Sequence, residues 1–293
     1  MLRVLIACAV LLAVAGCGGS GRPNPRPQVL AAAYPFAWAA AAVAGDDARV
    51  VDLVKSGGEP HDVELTPRQI GAVEKAELVI YLRGFQPAVD DAVRDSRASA
   101  RLDLRSVADV RRLSGGLEDE TGTGIDPHVW LDPVRMSAIV GVIADRLSRQ
   151  DPTHASAFRA RAVQTQATLA QLDELFRTKL ADCRRHDVVT AHTAFAYLSA
   201  RYGLRQVGVT GLDPEAEPSP ARIAKVARFA HSHDVSTVFF ESRVDPKLAQ
   251  TIASEIGART AVLDPIEGVR SGDDYVSVMR RNAAALAEGL GCR

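Results

Sequence analysis

The 293-residue chain reads as an α/β protein of two lobes with mainly parallel sheets, joined by one long rigid helix. Three observations predict this. Short apolar runs alternate with helical patterns, the alternation resumes in the second half, and between the halves the chain from Thr153 to Asp182 contains neither glycine nor proline. Val29–Ala33 is the first expected strand, followed by an Ala-rich helix from Pro35 to about Ala44 and a strand over Arg49–Val54. Thr66 and Pro67 open a helix, with Thr66 as N-cap and Pro67 at the first helical position. Leu78–Leu82 is a strong strand and Arg101–Leu104 a weaker one. The pattern from Pro152 to Asp182 predicts one helix of about 30 residues, or about 45 Å. Beyond it, strands are expected over Asp187–Ala191, Arg205–Val209, Ser236–Phe240 and Thr260–Leu263. The intervening helices are Ala194–Tyr202, Pro220–His233 and Pro246–Ile256, and Asp274–Leu290 closes the chain.

The first residues predict export. Met1-Leu2-Arg3 is a positive start and Val4–Val14 an apolar run too short to span a bilayer. Small residues lead to Cys17, and a Gly/Pro-rich polar stretch begins at once behind it. This pattern resembles a bacterial lipoprotein signal, which implies cleavage before Cys17, acylation of its thiol, and a membrane-anchored protein that does not span the bilayer. The expected division is therefore a signal over 1–16, a tether over 17–28, a lobe over 29–150, the linking helix over 151–183 and a second lobe over 184–293. With Cys8 removed and Cys17 lipidated, Cys183 and Cys292 remain, and an even pair in an oxidising compartment is a disulfide candidate. The formal net charge of −1 gives no reason to expect nucleic acid.

Ligands of open parallel sheets bind at the carboxyl ends of strands. His192, Glu241 and Asp264 each directly follow an expected strand, and His61 follows another by a short loop. His128 sits in the proline-bracketed segment Asp126-Pro127-His128-Val129-Trp130-Leu131-Asp132-Pro133. Three imidazoles with one carboxylate suit Zn²⁺ in a tetrahedral shell. The histidines are too far apart in sequence to form a compact metal motif, so convergence of loops must bring them together.

Several runs in order along the chain carry a family resemblance. They are Gly57-Gly58-Glu59-Pro60-His61-Asp62, Asp126–Pro133, Thr190-Ala191-His192-Thr193-Ala194-Phe195-Ala196-Tyr197, Phe239-Phe240-Glu241 and Leu263-Asp264-Pro265. The chain resembles the zinc- and manganese-binding solute-binding proteins of ABC importers, the ZnuA/TroA-like group. The resemblance implies an interlobe metal site with His61, His128, His192 and Asp264 as ligands. It also implies Glu241 beside them, orienting an imidazole or coordinating directly. Manganese-type members carry Glu where this chain has His192, so the third imidazole points to zinc. The long His-rich loop of some zinc members is here the short acidic stretch 117–124, without histidine.

The function implied is capture of Zn²⁺ outside the cytoplasm by a monomeric, lipid-anchored, non-enzymatic protein that delivers the ion to an ABC permease. Two alternatives are a Mn²⁺-binding homologue and a secreted zinc-dependent hydrolase using Glu241 as general base.

Overall fold

A computed structural model describes residues 26–54, 58–98, 100–110, 125–242 and 246–293. The signal, Cys17, most of the tether and the stretch 117–124 lie outside the described residues. Strands β1 (Gln28–Ala31), β2 (Arg49–Asp52), β3 (Leu78–Tyr81) and β4 (Arg101–Asp103) form a parallel sheet in the order β2-β1-β3-β4. Strands β5 (Asp187–Thr190), β6 (Arg205–Gly208), β7 (Thr237–Phe240) and β8 (Arg259–Val262) form a second, in the order β6-β5-β7-β8. The two halves thus share one topology. In each sheet the central strands carry the most apolar runs, because a parallel strand covered by helices is buried on both faces. Leu78, Val79 and Ile80 are fully buried, whereas edge strand β2 has no fully buried residue.

The helices are α1 (Tyr34–Ala44), α2 (Pro67–Lys75), α3 (Pro87–Asp95), α4 (Pro133–Gln150), α5 (Ala155–Lys179), α6 (Ala196–Arg201), α7 (Pro220–Ser232), α8 (Lys247–Ile256) and α9 (Tyr275–Leu290). Thr66 caps α2 in a reciprocal capping box with Gln69, and Pro67 opens that helix as expected. The linking helix is shorter than the sequence suggests, 25 residues or about 37 Å. Asp151 caps the backbone N–H groups of Thr153 and His154 at 3.1 and 3.3 Å, making a separate turn between α4 and α5. Helix α5 packs on α1 and α4 from the first half and on α9 from the second. One hydrophobic core runs through both halves, including Phe36, Trp130 and Ile139 from the first and Phe195, Tyr275 and Leu286 from the second.

A partly buried ion pair reinforces this junction. Asp173 of α5 accepts from Arg201 Nε at 2.6 Å, from its terminal nitrogen at 2.8 Å, and from the Tyr202 hydroxyl at 2.9 Å. Two parallel charge-assisted bonds fix a guanidinium in angle as well as distance. The same Arg201 Nε lies 3.5 Å from Asp132, the N-cap of α4. Cys183 and Cys292 are bonded, which ties the C-terminal residues to the start of the second half. Among the described residues no helix is long and apolar enough to cross a membrane.

Candidate metal centre

His61 lies in the loop between β2 and α2. Its backbone N–H donates to Glu59 Oε1 at 2.9 Å, and its ring meets Phe85 edge-on at 5.0 Å. The buried Gln86 amide donates to Pro60 O at 2.9 Å and to Ala32 O at 3.0 Å, so it pins this loop to the end of β1. His128 opens the 3₁₀ turn Val129–Leu131. Asp126 Oδ1 accepts from the His128 backbone N–H at 3.0 Å and lies 2.9 Å from its Nδ1. The Tyr197 hydroxyl, from the second half, donates to Asp126 O at 3.1 Å.

His192 follows β5 in a loop whose carbonyl accepts from Thr190 Oγ1 at 2.6 Å and Gln206 Nε2 at 3.1 Å. This loop presses on the end of β6 at Gly208, where a Cβ would fall 2.2 Å from Thr193 Oγ1, so only glycine fits. His192 Nδ1 is bonded to Glu241 Oε1, with both side chains buried. Carboxylates therefore occupy Nδ1 of His128 and His192, which fixes the rings with Nε2 facing inward.

The inward nitrogens converge on one oxygen. Glu267 Oε1 lies 3.1 Å from His61 Nε2, 3.0 Å from His128 Nε2 and 3.8 Å from His192 Nε2. His128 Nε2 and His192 Nε2 are 3.5 Å apart. All four ligand atoms lie within 4.8 Å of one another, and this is the one such group of His, Cys, Asp and Glu side chains found among the described residues. A tetrahedral shell with zinc–nitrogen bonds of about 2.0–2.1 Å has edges of about 3.3 Å, so the donors already stand near coordination distance. His61 and His128 come from the first half, His192 and Glu267 from the second.

The structure does not bring Asp264, the carboxylate expected from the sequence, into this group. Its Oδ1 accepts from the Ile266 backbone N–H at 2.8 Å, and its Oδ2 accepts from the Ser242 hydroxyl. Both oxygens are occupied away from the histidines. The chain instead continues past Pro265 and Ile266, and Glu267 supplies the carboxylate. Ile266 has φ +61°, a left-handed conformation rare for a β-branched residue. Sequence reasoning also missed Gln86, which lies in a segment assigned no element. Glu241 stands behind His192 rather than among the inward-facing donors.

The buried charges interlock. Burial acts to lower the His128 pKa, but bonds to Asp126 and Glu267 outweigh it and hold it up at about 9. Burial would raise Glu267, yet His128 and His61 hold its carboxyl well below the usual range. His61 is pushed down, chiefly by burial. Burial, aided by the charge of Glu267, raises Glu59 to about 7.

Fold and site define the class: a two-sheet α/β binding protein whose halves each bring two donors to one buried metal-chelating cluster. Residues 29–289 match the family model ZnuA, described as zinc-uptake complex component A, periplasmic. The chain is 34% identical over 253 residues to the high-affinity zinc uptake system protein ZnuA of Bacillus subtilis strain 168, covering 81% of this chain and 79% of that one. It is 32% identical over 264 residues to the zinc-binding lipoprotein AdcA of Streptococcus pneumoniae R6, covering 84% of this chain but about half (52%) of that longer protein. The crystal structure of the Zn(II)-bound ZnuA-like domain of Streptococcus pneumoniae AdcA superposes with a TM-score of 0.77 at 31% identity, over 91% of this chain and 99% of that one. The chain belongs to the ZnuA family of solute-binding transport proteins.

Proposed function

We propose that this protein captures Zn²⁺ outside the cytoplasm with His61, His128, His192 and Glu267 and delivers it to an ABC import permease. The observation that carries this reading is the convergence of three Nε2 atoms and one carboxylate oxygen near zinc-shell spacing. Three imidazoles favour zinc over the harder Mn²⁺. Two of the imidazoles are backed by carboxylates, which raises their basicity and fixes their orientation. Four protein donors fill a tetrahedral shell and leave no open position for an activated water, so the protein binds without turnover. Glu241 is committed to His192 Nδ1, which removes the general base that a hydrolase would need. The lobes are read as 29–150 and 184–293 with 151–183 linking them, and the monomer is anchored through lipid on Cys17.

The test is a titration of the purified, metal-free chain with Zn²⁺ and with Mn²⁺ against a chelator of known affinity. One tightly held zinc per chain, with manganese far weaker, is the expected result; no stoichiometric zinc would reject the reading. The same titration has a proton signature. Metal-free His128, held up at about 9, carries its proton at pH 7.5, and zinc needs the lone pair on Nε2. Zinc uptake at pH 7.5 therefore releases about one proton from this residue. Affinity rises with pH up to about 9 and gains nothing more from His128 beyond it. Calorimetry in buffers of different ionisation heat measures the release, and heats independent of buffer would contradict it.

A further inference from the structure

Glu267 follows a sharp backbone turn at Ile266. That residue is fully buried and holds φ +61°, in a region β-branched side chains avoid. A conformation so sparsely populated persists only when its surroundings over-determine it. The surroundings here are specific. Asp264 Oδ1 accepts from the Ile266 N–H at 2.8 Å, and Asp264 Oδ2 is taken by Ser242. Asn282 of α9, itself buried, accepts from Asp264 N at 2.9 Å and donates to Asp264 O at 2.7 Å. On the other flank, the indole N–H of Trp130 donates to Pro265 O at 2.7 Å. The Trp130 carbonyl in turn accepts from the Tyr275 hydroxyl at 2.5 Å. Trp130 lies two residues from His128, so this one bond links the segment carrying a first-half donor to the turn carrying a second-half donor.

We propose that Asp264 and Trp130 are positioning residues for Glu267: they hold Ile266 left-handed and so turn the Glu267 carboxylate into the histidine cluster. The proposal rests on the reading that this cluster holds zinc, and it assigns Asp264 the role of a backbone acceptor, not of a ligand. A backbone acceptor needs an oxygen but no charge, whereas a carboxylate that ligates zinc acts as the ionised group.

The test compares Asp264→Ala, Asp264→Asn and Trp130→Phe by zinc competition against a chelator. Asp264→Ala and Trp130→Phe weaken zinc about 10–100-fold, the size usual for residues that orient a metal ligand. Asp264→Asn keeps an acceptor oxygen for Ile266 N–H and binds as the wild type does. In a Glu267→Gln background, Asp264→Ala adds little further loss, because both changes remove the same carboxylate. The proposal is overturned if Asp264→Asn is as weak as Asp264→Ala, if Asp264→Ala keeps full affinity, or if the losses of Asp264→Ala and Glu267→Gln add. Crystal structures of the metal-free wild type and Asp264→Ala supply a readout without zinc. The expected change is a return of Ile266 to negative φ with Glu267 leaving the histidines, and an unchanged turn overturns the proposal. A wild type that takes up no zinc, yet whose Asp264→Ala variant opens the turn, would reject the zinc reading and leave the positioning role standing.

Discussion

Replacing His192 with alanine weakens zinc binding on the order of 10²–10³-fold. Protein zinc sites of four ligands bind with about 10–16 kcal/mol, so an even share is about 2.5–4 kcal/mol per ligand. His192 carries more than its own donor atom. It is buried, and its Nδ1 is the partner of Glu241. Truncating it leaves a buried carboxylate without that partner, which costs stability as well as affinity. His154→Ala is the matched control, since His154 is half-exposed at the start of α5, paired with Asp151, and outside the cluster. Chelator competition on the two variants decides the matter, and equal affinities would remove His192 from the site.

Loss of the Cys183–Cys292 bridge lowers the stability of the metal-free protein by about 4–5 kcal/mol. The bridge spans a sequence separation of 109, and cross-linking a loop of about 100 residues is worth about 4.7 kcal/mol in the chain-entropy description. The effect falls on the unfolded chain, so zinc affinity of the folded Cys183→Ala/Cys292→Ala protein stays close to that of the wild type. Urea unfolding of the two metal-free proteins measures the difference. A loss below about 1 kcal/mol would mean that the packing of α9 against α5 already restrains the C-terminal segment.

Much of the fold was legible because burial of parallel strands writes apolar runs into the chain, as at Leu78–Tyr81 and Thr237–Phe240. Strand ends shifted by only a residue or two. Helix α3 leaves little trace in the sequence, because nine residues with only Val89 and Val93 buried give too little periodicity to read. The linking helix starts later than its apolar pattern suggests. The Asp151-Pro152 pair is compatible both with a helix start and with the separate turn found at Asp151–His154, where the Asp151 carboxylate takes the backbone N–H groups. The three imidazoles could be found because β2 and β5 deliver two of them from their carboxyl ends and the proline-bracketed segment holds the third. The carboxylate could not be found this way. Asp264 lies closer to the end of β8, where strand-end reasoning looks first, and Glu267 lies five residues past that strand's last residue. What separates them is one left-handed isoleucine, a choice set by tertiary hydrogen bonds and invisible to local propensity.

The division of donors between the two halves has a mechanical meaning. On the proposed reading, a cation held by His61 and His128 on one side and by His192 and Glu267 on the other sits in a clasp whose jaws come from the two halves of the chain. Parting the jaws by the length of a coordination bond, about 2 Å, leaves the ion with two donors instead of four. A rival chelator finds little to grip, because these side chains are 12% exposed or less. On that reading unloading becomes a matter of leverage: a partner that held both halves and turned them slightly apart would free an ion that competition in solution would be slow to extract.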